Sequence, residues 1–463
     1  MKVSPASIRI FILGLAVFTP LTASGKILAG AAERKITPAV GLEIQHYFRD
    51  SVGVGDDLYA RCLYLHDEKG NGVAIVGLDL IMGSFEACDQ LREEIRSKCG
   101  VKHTLLNFSH SHASAAIGPR GKSRISNDEG SQWNDRTLDT IATVVADARR
   151  RSEPVTLRVG REEVQVGFNR RLMNTDSGHV YMGVNRGGPS VPWVNVLVAD
   201  SVRTGKPLAV LFEHAAHPVI VPHTSKLISA DFPGMAVQTI RASLGEDVVA
   251  VFGQGCGGNI NGFPLRSTHE KAEQAGRRLG EAALRAIIAS EAIRAETFTV
   301  RSVRADLPSA PLPERELLAE MMDLEKDRPE RMKQLRKIEN LLRRGEKPPA
   351  RRFEAHAVIL GKEWCLVAMP HEMFCQYELW IDRNAPFQRT MTLAFTNGYE
   401  GYVAVDKDLA LGARGGYEAA CLPNWGGQVY TSHFGPPAVG AEKIVKEALS
   451  SLWPGREAKR VGR

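Results

Sequence analysis

Strand-length apolar runs alternate with helix-length amphipathic stretches along most of this chain, and no other feature limits the possible folds as much. "GVAIVGLDLI" precedes "CDQLREEIRSK", and "HTLLNF" precedes "LDTIATVVADARRR". "PLAVLFEH" is followed by "FPGMAVQTIRASL", and "VVAVFG" by "KAEQAGRRLGEAALRAIIAS". Short apolar runs suit buried strands and the longer periodic stretches suit helices packed on them, so the pattern predicts an α/β core.

Between Pro313 and Arg344 the pattern changes. Leu317, Met321 and Leu324, then Leu335, Ile338 and Leu342, recur at helical spacing with a break at Pro329. This predicts a helical insertion around 313–346 that covers the core and carries no chemistry. Pro348 and Pro349 end it, and "FEAHAVILGKEWCLVAMP" then reads as two strands turning at Gly361. With no internal repeat and no low-complexity linker, residues 26–463 are expected to form one domain.

Residues 1–25 carry Lys2 and Arg9, an apolar run from Ile10 to Phe18, and small residues at Ala23 and Ser24. That is the pattern of a signal peptide, too short to span a bilayer comfortably, so the mature protein is expected to be exported, periplasmic or secreted, with no transmembrane segment. The seven cysteines (Cys62, Cys88, Cys99, Cys256, Cys365, Cys375, Cys421) contain no CxxC. They argue against a dense disulfide framework or a thiolate zinc site and leave room for one or two disulfides. The net charge of +6 is concentrated in "RPERMKQLRKIENLLRRGEKPPARR" and the tail "REAKRVGR". No aromatic residues interleave with these cations, so nucleic acid is not an expected partner.

Five strand-like runs end in polar clusters: Ser109, His110 and His112; Glu213, His214 and His217; the loop "GQGCGGNING"; His371 and Glu372; and Asn397, Tyr399 and Tyr402. In α/β sheets ligands sit beyond the carboxyl ends of strands, where such clusters converge. The pair His110 and His112 shares a face of an extended segment. Together with His214 and Glu372 it offers imidazole and carboxylate ligands that suit Zn²⁺ and leave a position open for water or substrate. His217 and His371 are near neighbours that could substitute for a ligand, though each reads first as a surface or supporting histidine. Asp231, just before a helix, is placed either to cap that helix or to orient a ligand histidine through its second nitrogen. The glycine-rich loop suits a close backbone approach, lacks the GKS or GKT of a phosphate loop, and gives Cys256 no recognisable basic partner.

Taken in order, "NFSHSHASAAIG", "FNRR", "LFEHAAH…LISADFPG", "VAMPHEMF" and "NGYEGYVAV…GGYEAA" resemble the motifs of the neutral ceramidase family over residues 30 to 450. The resemblance implies a layered α/β domain of stacked β-sheets flanked by α-helices. It also implies one Zn²⁺ per chain, held by His110, His214, Glu372 and Tyr402, with Tyr399 as the alternative tyrosine. By the same matching, His112 is the general base or orients the attacking water, and Arg170 and Tyr417 hold the scissile carbonyl. Gly258, Asn259 and Asn261 line the supporting loop. Where the family carries "GDVSPN" this chain has "GGNINGF", so by this matching Asn261 stands at the serine position, and the family's additional C-terminal β-sandwich domain is expected to be lacking.

The expected activity is therefore zinc-dependent cleavage of a C–N amide bond in an N-acyl lipid such as an N-acyl sphingosine. The alternatives are a zinc hydrolase of a soluble ester, lactone or carbohydrate-linked amide, and a non-catalytic secreted binding protein on the same fold.

Overall fold

The structure, a computed structural model, describes residues 27–44, 49–122, 125, 127–420, 423–424, 428–429 and 435–453. The expected leader and Cys421 lie outside them. The six described cysteines are all buried and free. No described helix is long and apolar enough to cross a membrane.

The alternation seen in the sequence becomes a nine-stranded mixed sheet. Its main path runs Val249–Gln254, Pro207–His214, Trp193–Ser201, Glu153–Glu163, Ile27–Lys35, Tyr59–Asp67, Gly72–Leu78, His103–Phe108. The outermost pair at each edge is parallel. The inner strands pair antiparallel.

A second sheet of four strands, Phe298–Leu307, Arg351–Leu360, Trp364–Ala368 and Arg389–Leu393, lies against the first. Between the two, Leu63, Leu65, Ile75, Leu211 and Val251 meet Val358, Leu366, Met391 and Leu393 in one apolar layer. The two strands expected to turn at Gly361 do so, with Leu360 opposite Trp364 and a positive φ of 59° at the glycine.

Helices cover the outer faces. Helix α1 (Phe85–Cys99) starts where Ser84 Oγ accepts from Ala87 N and stops at Gly100 in the left-handed region. Helix α2 (Asp128–Arg150) is capped by Asn127 and packs with α1 on one half of the sheet. Helices α3 (Asp231–Leu244) and α4 (His269–Ile288) cover the other half through Phe232, Ala236, Ile240, Leu279 and Ala283. This is the stacked-sheet α/β architecture expected.

Residues 313–346 contain helices α5 (Arg315–Leu324) and α6 (Pro329–Arg344), whose apolar stripes meet in a small core of Leu318, Met321, Leu335 and Ile338. Helix α7 (Cys375–Asn384) follows the polar cluster at His371 and Glu372.

Asn107 fixes where the sheets meet. Its Oδ1 accepts from Gln254 N (2.7 Å) and its Nδ2 donates to Ala394 O (2.6 Å), so one side chain ties the ends of strands from both edges of the large sheet to the end of a strand in the small one. Asn397 performs the reciprocal task, accepting from Leu106 N and donating to Thr104 O. The polar clusters that follow those strands are thereby delivered to one place.

Candidate active site

At this junction the backbone leaves its regular conformations. His110, His371, Phe395 and Asn397 all have positive φ, between 49° and 68°. Non-glycine residues there each cost about 1–3 kcal/mol, and they persist only where surrounding contacts over-determine them.

His110, His112 and His217 present their ring nitrogens to one another within 4.8 Å, all three buried. His110 Nδ1 is 2.7 Å from Ile81 O, and His217 Nδ1 is 2.6 Å from Gly257 O. A carbonyl can only accept, so both Nδ1 atoms carry a proton, and a ring in its neutral form turns the lone pair of Nε2 toward the centre. There Glu372 Oε2 stands 2.7 Å from His217 Nε2 and 3.7 Å from His110 Nε2.

The buried environment sharpens this arrangement. Burial, and secondarily Arg170, push His217 down to about 3, so it does not become an imidazolium near neutrality. Burial raises Glu372, opposed by His110 and Arg170. Two acceptors 2.7 Å apart repel unless a cation or a shared proton lies between them.

Tyrosines and an arginine close the centre. Tyr399 Oη donates to Glu372 Oε1 (2.6 Å), and Tyr402 pairs backbone to backbone beside Glu372. Both tyrosines considered from the sequence thus reach this carboxylate, since the Tyr402 hydroxyl also bonds to it. The Tyr417 ring lies 5.5 Å from that of Tyr402, and Arg170 Cζ sits 5.1 Å from the Tyr402 ring and 5.7 Å from the Tyr417 ring.

Arg170 is fully desolvated, yet Tyr402, Glu418 and Glu372 outweigh the cost of burial and raise its pKa, so it stays charged. Its Nε donates to Glu418 Oε1 (2.7 Å) and its Nη1 to Asn261 Oδ1 (2.9 Å), while Nη2 is buried with no hydrogen-bond partner among the described residues. Glu418 also takes Arg171 Nη1 at 2.5 Å, and the two arginines hold it below its ordinary pKa against the upward push of burial.

The glycine-rich loop is built for contact with this centre. A Cβ on Gly258 would stand 2.5 Å from Glu372 O and 2.7 Å from Met373 O, and the glycine N–H donates to Met373 O. Asn259 Oδ1 accepts from Cys375 N at the start of α7, while its carbonyl accepts from Arg170 N. Asn261 bridges the backbone at His217. The Cys256 thiol is buried, and burial next to Glu378 and Glu213 pushes its pKa well up, the reverse of what a thiolate nucleophile needs.

Two sequence expectations need correction. His214 is outside the cluster: its Nδ1 bonds Trp193 O (2.8 Å), its ring is buried with Nε2 unpartnered among the described residues, and burial drops it to about 4. His217, read as a neighbour of the ligands, holds the central position instead. It lies three residues beyond the strand end, where the chain turns and side-chain direction no longer follows the period of 2.

Asp231 touches neither His110 nor His217. Its carboxylate accepts from Val221 N (2.8 Å) and Phe232 N (2.6 Å), which fixes the segment after His217 and the first turn of α3. The His110 and His217 rings are oriented by backbone carbonyls. Asn107 and Glu418 escaped the sequence reading because their partners lie 147 and 248 residues away.

No protein-family model matches the sequence, and no curated protein matches it. The fold, however, belongs to a known class: it is the stacked-sheet α/β fold of neutral ceramidases. The structure of neutral ceramidase from Pseudomonas aeruginosa superposes with a TM-score of 0.66 at 15% identity, covering 93% of this chain and 75% of that one. A ceramidase complexed with C2 superposes with a TM-score of 0.68 at 15% identity, covering 92% and 75%.

Proposed function

We propose that this protein is a metal-dependent hydrolase that cleaves the amide bond of an N-acyl lipid, with a ceramide-like molecule as the leading substrate. The observation that carries the proposal is the meeting of the His110 and His217 lone pairs with the Glu372 carboxylate. Two neutral imidazoles and one carboxylate are the donor set of a hydrolytic zinc site, and a tyrosine stands ready as a further ligand.

In this reading the ion is zinc, one per chain, held by His110, His217 and Glu372 together with Tyr402. A divalent ion there supplies Lewis acidity, enough to bring the pKa of water from about 15.7 to about 7. His112, whose ring centroid lies 5.1 Å from that of His110, is the base that takes the proton from the attacking water. Arg170 Nη2 and the Tyr417 hydroxyl donate to the carbonyl oxygen as it gains negative charge. Asn261, at the serine position of the family pattern, already accepts from Arg170 Nη1, a positioning role that requires no covalent intermediate.

The likeness in fold to neutral ceramidases supports the amide-lipid reading, and the expected leader supports export. The test is fatty-acid release from N-acyl sphingosine, compared with a soluble aryl ester of the same acyl chain, before and after chelation and zinc repletion. Zinc-restored release from the amide supports the proposal. Hydrolysis of the ester alone would move the substrate class, and no turnover of either with metal bound would favour a binding protein.

A further inference from the structure

Helix α6 buries Leu335 and Ile338 against α5 and turns a different stripe outward. Pro329, Met332, Lys333, Arg336, Lys337 and Asn340 line a groove of about 440 Å³, with Lys326 at its end. Lys333, Arg336 and Lys337 are exposed and form no ion pair among the described residues. Like charges spaced three and four residues apart on a helix repel one another. The acidic residues of α6, Glu330 and Glu339, flank this triplet and do not fall within it, whereas α1 interleaves its charges in the Glu93–Arg96 and Glu94–Lys98 pairs.

The groove also has an apolar component. Met332 is half-buried in its floor, and Leu324, at the end of α5, is 48% exposed close by in the chain. Cations above apolar side chains complement a surface that is anionic outside and apolar beneath.

The base of the hairpin adjoins the active site. Ala310 N donates to Pro436 O (2.9 Å) and Ala438 N to Pro308 O (2.7 Å), which ties its entry to the segment 435–438. Arg351, just beyond its exit, donates from Nη1 to Tyr402 O (2.8 Å) and from Nη2 to Gly435 O. One side chain just beyond the hairpin's exit thus holds the backbone carbonyl of Tyr402.

We infer that the α5–α6 hairpin docks the protein on an anionic lipid surface through Lys333, Arg336 and Lys337. Docking there holds the protein at the interface where an N-acyl lipid resides. The binding itself does not depend on the hydrolytic reading.

The test is flotation of the purified full chain with vesicles of phosphatidylcholine alone and of phosphatidylcholine mixed with phosphatidylglycerol. The wild type should bind only the mixed vesicles, and raising salt from about 0.1 M to about 1 M should release it as the screening length falls. The variant K333E/R336E/K337E should lose at least about tenfold in affinity, and K333Q/R336Q/K337Q should fall between. Both should keep the wild-type circular dichroism and metal content, because all three positions are on the surface.

Equal binding of wild type and variants to the mixed vesicles would overturn the inference, as would equal binding to both vesicle types. Failure of the wild type to float, with thermal stabilisation by inorganic phosphate alone, would also overturn it and leave a small-anion site. Loss of flotation with hydrolysis absent in all forms would leave the docking intact and count against the hydrolase reading.

Discussion

His217 Nε2 lies 2.7 Å from Glu372 Oε2, two acceptors held at hydrogen-bond distance in a desolvated centre. Substitution of either residue by Ala is therefore expected to abolish stoichiometric zinc, whereas His214→Ala keeps it, because the His214 ring is tied to Trp193 O. Elemental analysis of the three purified variants checks this. Zinc lost in His214→Ala and retained in His217→Ala would reverse the ligand assignment.

His112 is the most exposed of the three clustered histidines, at 8% against 3% for His110 and 0% for His217. As the base, its removal in His112→Ala should cost about 10²–10⁴-fold in kcat with metal content unchanged. If zinc disappears together with activity, His112 is a ligand.

Glu418 grips both Arg170 and Arg171, and it is the neighbour of Tyr417 on the short helix Gly416–Ala419. On the proposed reading, in which Arg170 donates to the developing charge more than to the bound substrate, Glu418→Gln should lower kcat by about 10²-fold with a much smaller change in KM. Breaking a buried ion pair also costs about 3–5 kcal/mol of stability. Glu418→Asp should recover part of kcat. A variant that unfolds less readily than wild type, with kcat intact, would remove Glu418 from this role.

The buried carboxyls Glu213 and Glu378 predict an unusual pH response away from the proposed metal ligands. Burial raises both, Glu378 to about 7 from 4.5. Between those values this pair binds more protons in the folded chain than in the unfolded one, so its contribution to stability is fully present below 4.5 and is lost as pH rises through about 7. Glu378→Gln, whose amide oxygen can still accept from Cys256 N, should flatten that decline and raise stability on the alkaline side. Thermal melts of both proteins across this pH range decide it, and parallel curves would contradict the assignment.

The layered core was legible in the sequence because it is a matter of local period: apolar runs such as 72–81 and amphipathic stretches such as 271–290 signal their own structure. The pair His110 and His112 was legible for the same reason, as it ends a recognisable strand. The exchange of His217 for His214 was not. The chain leaves the strand after His214, and which ring points inward then depends on the Gly257 and Ile260 carbonyls that receive His217 Nδ1. Asn107, Asn397 and Glu418 are polar residues whose purpose lies in partners remote along the chain. No spacing rule encodes such contacts.

His217 and Glu372 are separated by 155 residues. At typical synthesis rates that span takes roughly 10–30 s to produce, during which a nascent chain bearing both His110 and His217 still lacks its carboxylate. On the proposed reading, capture of the ion is thus a late event in the biogenesis of this protein. On that reading a chain stopped short of residue 372 should emerge without the ion.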